Sequence, residues 1–163
     1  TLDTGHFHLT ESIADKIPCL LLFTPEIMLH VSRPIRWDSD HEVILNDELM
    51  DLSRELVRCD ALNRVHIGLD YFDATINRIG AYVIGIRATQ KALLQALLEP
   101  HTQLANYEAT GQLFQRLALQ EEAKSLPWNA VWDMFCLTNN VPAGEDYIKD
   151  IEKYEAEITS KRG

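Results

Sequence analysis

The residues able to do chemistry fall into short clusters: Asp3 with His6-Phe7-His8, then His30, then Asp38-Ser39-Asp40, then Asp70. All are carboxylates or imidazoles, the side chains that move protons and hold divalent cations. Asp38 and Asp40 stand two apart, and in extended backbone such residues face the same way, so their carboxylates converge. Two carboxylates that close repel unless one is protonated or a cation lies between them. A divalent ion answers that need and accepts oxygen ligands readily. His6 and His8 repeat the spacing with imidazoles, and a mixed imidazole and carboxylate set suits Mn²⁺, Zn²⁺ or Co²⁺ better than Ca²⁺. An isolated Asp-x-Asp is more often a solvated loop whose acids never meet, so both readings stand at this point.

What gives the clusters weight is the set of elements that must position them. Residues 2–6 form a short apolar segment that ends in a polar cluster. Thr10 is placed to cap a helix whose apolar face is Ile13, Ile17, Leu20 and Leu21, interrupted by Pro18. The run Ile27-Met28-Leu29-His30-Val31 reads as a strand buried on both faces of a parallel sheet. A loop over residues 33–40 follows. Asn46 or Asp47 then caps a helix with Leu49, Leu52, Leu56 and Val57 on one side. Val65-His66-Ile67-Gly68-Leu69-Asp70 is the third strand, and residues 74–98 make a long helix ended by Pro100.

Strand and helix alternating in this way is the pattern of an α/β fold with parallel strands. From His101 the strands stop, and residues 104–109, 112–124, 127–138 and 143–161 read as helices. The expected organisation is therefore βα units over 1–100 carrying the site, and a helical extension over 101–163 that packs or forms an oligomer interface. Asp3 and His6 follow the first segment, His30 closes the second strand and Asp70 closes the third. Strand C-termini are the functional face of barrels and open sheets. A lone histidine there is ordinarily a hydrogen-bonded core residue, but successive strands ending in metal-capable residues keep ligation open beside it.

Composition excludes several classes. The chain has 163 residues, 25 acidic and 15 basic, for a formal charge of −10. That acid excess argues against nucleic acid and anionic membrane as partners, since both need a basic face. No P-loop, GxGxxG or GxSxG is present. The longest apolar cluster, residues 17–23, falls well short of the ~20 residues that span a bilayer. No signal peptide is visible, and the opening Thr1-Leu2-Asp3-Thr4 reads like the interior of a longer protein. Cys19, Cys59 and Cys136 share no metal-binding spacing and are expected to be reduced core or boundary thiols of a cytosolic protein. His66 should pack or hydrogen-bond, and His101 should lie on the surface. Trp128, Trp132 and Phe135 form a helical stripe for a core or interface.

The motifs then become recognisable. Leu2-Asp3-Thr4-Gly5-His6-Phe7-His8 and His30-Val31-Ser32-Arg33-Pro34-Ile35-Arg36-Trp37-Asp38-Ser39-Asp40-His41 resemble the L-rhamnose isomerase family. So do Arg64-Val65-His66-Ile67-Gly68-Leu69-Asp70-Tyr71-Phe72-Asp73 and Lys124-Ser125-Leu126-Pro127-Trp128, and the resemblance covers residues 2–163. It implies a metal-dependent aldose–ketose isomerase on a (β/α)8 barrel that interconverts L-rhamnose and L-rhamnulose. Carried over position by position, it implies that His6, Asp38 and Asp40 hold the catalytic metal, Mn²⁺ with Zn²⁺ or Co²⁺ as alternatives. Asp3, His30 and Asp70 match ligands of a second ion. Asp70 also matches the carboxylate that acts in proton transfer, and Phe72 matches a residue lining the sugar pocket. The resemblance further implies a cytoplasmic homotetramer.

A barrel needs about 250 residues and eight βα units, so the chain is expected to be the C-terminal portion, inactive without the preceding strands. Two other readings are open to the sequence: a metal-dependent amidohydrolase-type barrel using His6-x-His8, and a non-catalytic truncated piece with an unpaired strand edge.

Overall fold

A computed structural model describes residues 1–34, 41–71 and 75–162. The chain divides into two units, Thr1–Leu97 and Leu98–Gly163. In the first, β1 (Leu2–Asp3), β2 (Ile27–Val31) and β5 (Val65–Leu69) form a parallel sheet in the order β1-β2-β5. Asp3 pairs in register with His30, and His30 with Gly68. The Asp70 amide donates to the Val31 carbonyl at 3.0 Å, carrying the ladder one residue past β5.

Three helices cover one face of this sheet: α1 (Lys16–Leu21), α2 (Asp47–Arg58) and α3 (Arg78–Leu98). Ile13, Ile17 and Leu21 from the first helical segment, Leu49, Leu52 and Leu56 from α2, and Ala88 and Ala92 from α3 share one core with Leu2, Ile27, Leu29, Val31 and Val65. Each fully buried aliphatic side chain in such a core contributes roughly 1.5–3 kcal/mol. The opposite face of β2 is open: burial alternates along the strand, with Met28 exposed and His30 half-buried. The expectation of a strand buried on both faces is therefore corrected. An apolar run shows that a strand is able to bury two faces, not that both are covered.

Helix boundaries differ from expectation for local reasons. Thr10 caps nothing. The helix starts at Lys16, after a turn in which Lys16 and Ile17 donate to the carbonyls of Ile13 and Ala14. Pro18 explains this: it has no amide proton, and its ring would meet the carbonyl four residues back, so it is tolerated only in a first turn. Leu20 and Cys19, expected in the apolar face and at a core or boundary position, are both exposed. Asn46 is the cap of α2, accepting from the Leu49 amide at 3.0 Å. Asn77 does the same for α3, accepting from Gly80 at 2.9 Å, which sets its start at Arg78. Residues 33–40 were expected to be loop throughout. The structure instead pairs β3 (Arg33–Pro34) with β4 (His41–Glu42) as an antiparallel ladder.

The second unit contains α4 (His101–Ala109), α5 (Leu113–Lys124), α6 (Trp128–Thr138) and α7 (Asp146–Glu157). Among the described residues it contains no strand. α4 begins three residues earlier than expected, because His101 follows directly on Pro100, whose carbonyl accepts from Gln103 and Leu104. Gly111, at φ +71°, ends α4, and the Gln112 amide reaches back to the Tyr107 carbonyl at 2.8 Å. Asn140, at φ +55°, ends α6 in the same way, with Val141 donating to Cys136. These are left-handed C-terminal caps that satisfy otherwise orphaned carbonyls. Trp132 is buried and stacks on Phe135 at 5.5 Å, while Trp128 donates from Nε1 to the Ala123 carbonyl. No helix among the described residues is long and apolar enough to cross a membrane.

Candidate metal centre

Asp3, His30 and Asp70 lie at the C-terminal ends of three adjacent parallel strands, and the ladder register brings the first two side by side. Asp3 Oδ2 is 2.9 Å from His30 Nδ1 and 3.6 Å from His6 Nε2. Its other oxygen accepts from the Gly5 amide at 3.0 Å, so the carboxylate is anchored from its own backbone turn. That turn, Thr4–His6, is a 3-10 helix. It places His6 on the same side as Asp3, with the imidazole two-thirds exposed (67%), whereas the Asp3 and His30 side chains are about 28–29% exposed. Thr4 holds the turn against β2: its hydroxyl donates to the Ser32 carbonyl and accepts from the Ser32 amide at 2.9 Å.

Because residues 4–6 are helical, His6 and His8 do not make the i, i+2 pair expected of an extended segment. His8 turns to Thr10, whose hydroxyl is 2.8 Å from Nδ1 and whose amide donates to the same nitrogen. The reading that needed two histidines from this strand loses its second one.

Asp70 is approached by a residue that sequence reasoning had set aside. That residue is His41, to which the family resemblance assigns no role. In the structure it is buried, and its Nδ1 lies 3.2 Å from Asp70 Oδ2 and 3.4 Å from the Ser32 hydroxyl. The only signal available in the sequence was its position beside Asp-Ser-Asp. Tyr71, next in the chain, packs edge-on against Tyr82 at a centroid distance of 4.3 Å and donates to the Tyr82 carbonyl at 3.1 Å. Its ring fills a notch at Gly85, where a Cβ would come within 2.5 Å of it. Burial, and then the nearby Glu42 carboxylate, push the phenol up to about 12. At the far end of the sheet His66 pairs with Glu26 at 2.9 Å, with both side chains exposed. Burial, then Glu55, raises the Cys59 thiol, keeping it protonated.

Asp38, Asp40 and Phe72 lie outside the described residues. Among the described residues, no three His, Cys, Asp or Glu side chains form a group able to hold an ion by themselves. What is present is a carboxylate oxygen between two imidazole nitrogens, with a second carboxylate on the next strand but one from β1. This chemistry fits a borderline divalent cation once further carboxylates join it.

A parallel α/β sheet with carboxylates and imidazoles gathered at its strand C-termini defines a class of proteins whose functional face is that edge. The family model for L-rhamnose isomerase (RhaA) matches residues 1–162. An L-rhamnose isomerase from Bacteroides thetaiotaomicron is 72% identical over 162 residues, covering 99% of this chain and 39% of that protein. One from Escherichia coli (strain K12) is 57% identical over 162 residues, with the same coverage, as is one from Escherichia coli O1:K1 / APEC. The chain belongs to the L-rhamnose isomerase family. It spans about two fifths of the length of these relatives.

Proposed function

We propose that this chain supplies the C-terminal βα units and much of the ion-binding edge of a (β/α)8 barrel that interconverts L-rhamnose and L-rhamnulose. The observation that carries the reading is the in-register Asp3–His30 pair at 2.9 Å with His6 beside it, at the strand ends where such a site belongs. Asp3, His30 and Asp70 would hold one divalent ion, and His6, Asp38 and Asp40 another, with Mn²⁺ the expected metal and Zn²⁺ or Co²⁺ alternatives. When bound, such an ion polarises the sugar carbonyl and lowers the pKa of an adjacent hydroxyl. Moving a carbonyl from C1 to C2 carries one hydrogen from C2 to C1 and one proton from O2 to O1, and needs no external oxidant or reductant. Asp70 would accept and return a proton, and Phe72 would line the sugar.

The open face of β2 suits a barrel interior that further strands close. The second unit, residues 101–163 in the sequence reading, would be a helical extension used in packing or in a homotetramer. The cytoplasmic location that the family resemblance implies goes with this reading. The test is conversion of L-rhamnose to L-rhamnulose by the native polypeptide containing this sequence, before and after chelation and with Mn²⁺ restored. Loss on chelation, recovery with Mn²⁺ and failure of Asp40→Asn to recover are expected. Full turnover by Asp40→Asn would show that the Asp-x-Asp pair is only a solvated loop.

A further inference from the structure

At the strand edge Asp70 meets a side chain from the β3–β4 ladder, outside the parallel sheet. The backbone of Asp70 is fixed by the hydrogen bond that its amide donates to the Val31 carbonyl, and the next residue is locked into the Gly85 notch. Neither contact determines how the carboxylate itself is turned. His41 does: its Nδ1 lies 3.2 Å from Oδ2, and a bond to one carboxylate oxygen sets the plane of the group and hence the direction of the other oxygen.

His41 is itself held firmly. It belongs to β4, is paired with Pro34, and is buried. Ser32 Oγ sits 3.4 Å from its Nδ1. The far edge of the ring rests on Gly5, where a Cβ would be 3.2 Å from Cε1 and 2.8 Å from Ser32 Oγ. The absence of a side chain at residue 5 is thus what lets the ring lie there.

We infer that His41 is a positioning residue for Asp70: as an Nδ1–H donor it fixes the carboxylate in the orientation that ion binding uses, with Ser32 and Gly5 forming its seat. This rests on the reading of Asp70 as a ligand. Partners that orient a ligand in this way typically govern affinity by about 10–100-fold.

The test uses the native polypeptide and Mn²⁺ alone, with free ion read by electron paramagnetic resonance and folding checked by circular dichroism. His41→Leu keeps bulk and removes the donor; His41→Asn places an amide N–H near the lost Nδ1–H. The expected result is at least a tenfold weaker Mn²⁺ affinity for His41→Leu, with His41→Asn recovering to within about threefold of the parent. Unchanged affinity in His41→Leu overturns the inference, and so does an equal loss in both variants, which would mean that the ring only packs. Should His41→Leu fail to fold, the tautomer in a neutron crystal structure of the unmutated protein decides. A proton on Nδ1 supports the inference, and a bare Nδ1 overturns it. Asp70→Asn separates the two levels. If it weakens Mn²⁺ binding while His41→Leu does not, only the positioning role falls; if Asp70→Asn binds normally, the ligand reading falls and takes the positioning role with it.

Discussion

An imidazole and a carboxylate pair at both ends of one sheet, and at the same distance. His30 and Asp3 meet at 2.9 Å at the C-terminal end; His66 and Glu26 meet at 2.9 Å at the N-terminal end. Their surroundings differ. The first pair is less than a third exposed, is anchored by the Gly5 amide, and has His6 close by, with Asp70 and His41 at the end of the same sheet. The second is about two-thirds exposed and stands apart from those groups. A short contact between an imidazole and a carboxylate is therefore not itself evidence of a site. Convergence of several such groups, with water partly excluded, is what gives charge and protons a use.

The N-terminal end has another kind of importance. Arg64, just before β5, donates from Nε to the Pro25 carbonyl at 2.8 Å and from Nη2 to those of Leu21 and Thr24 at 2.8 and 3.0 Å. It gathers the carbonyls that follow α1 and ties them to the start of β5. One end of the sheet gathers the candidate ligands while the other fastens helix to strand, a division expected of parallel α/β architectures.

This contrast can be broken most sharply with His30→Ala. Mn²⁺ affinity of the native polypeptide should fall by more than the ~10–100-fold that loss of a ligand's orienting partner costs. A normal affinity would erase the distinction between the ends. Arg64→Ala should do the reverse, destabilising by about 2 kcal/mol through its charged hydrogen bonds, read as a lower denaturation midpoint, with Mn²⁺ affinity retained. Tyr71 sharpens the comparison through pH. Because burial raises its phenol from 10 to about 12, the folded state holds that proton more tightly than the unfolded chain does. The corresponding stability is complete below pH 10 and is lost as pH climbs toward 12. In an absorbance titration of the five tyrosines, one should ionise last, and Tyr71→Phe should remove that step. The smallest effect is expected of His66→Ala: a change within about 0.5 kcal/mol, as for other exposed positions, and no change in metal affinity.

Much of this was readable in advance because it depends on neighbours in the chain. β2 and β5 follow from compact apolar runs, Asn46 from its place before an amphipathic stretch, and the alignment of Asp3, His30 and Asp70 from each lying at a strand's end. What escaped depends on contacts across space. Strand alternation says nothing of the ladder with β3 that carries His41 over Ser32 to Asp70. Periodicity made Thr10 a helix cap, and the steric demand of Pro18 outweighed it. The both-faces-buried reading of β2 failed because what covers a strand is not written in the strand. The helical turn at residues 4–6, which separates His6 from His8, follows from Asp3 accepting the Gly5 amide and Thr4 bonding Ser32; only the second of these reaches across the chain.

That Thr4 hydroxyl acts as a counterfeit peptide group. By donating to one side of Ser32 and accepting from the other, it offers the residue after β2 the donor and acceptor that two further residues of β1 would have supplied in a parallel ladder, while its own backbone has already left the strand. The Ser32 amide should consequently exchange with deuterium at a rate typical of a paired strand, although it belongs to none. The counterfeit is also what frees the chain to coil: a valine of the same shape would have to choose between continuing the sheet and turning His6 toward Asp3. A single oxygen lets the protein keep both the pairing and the bend.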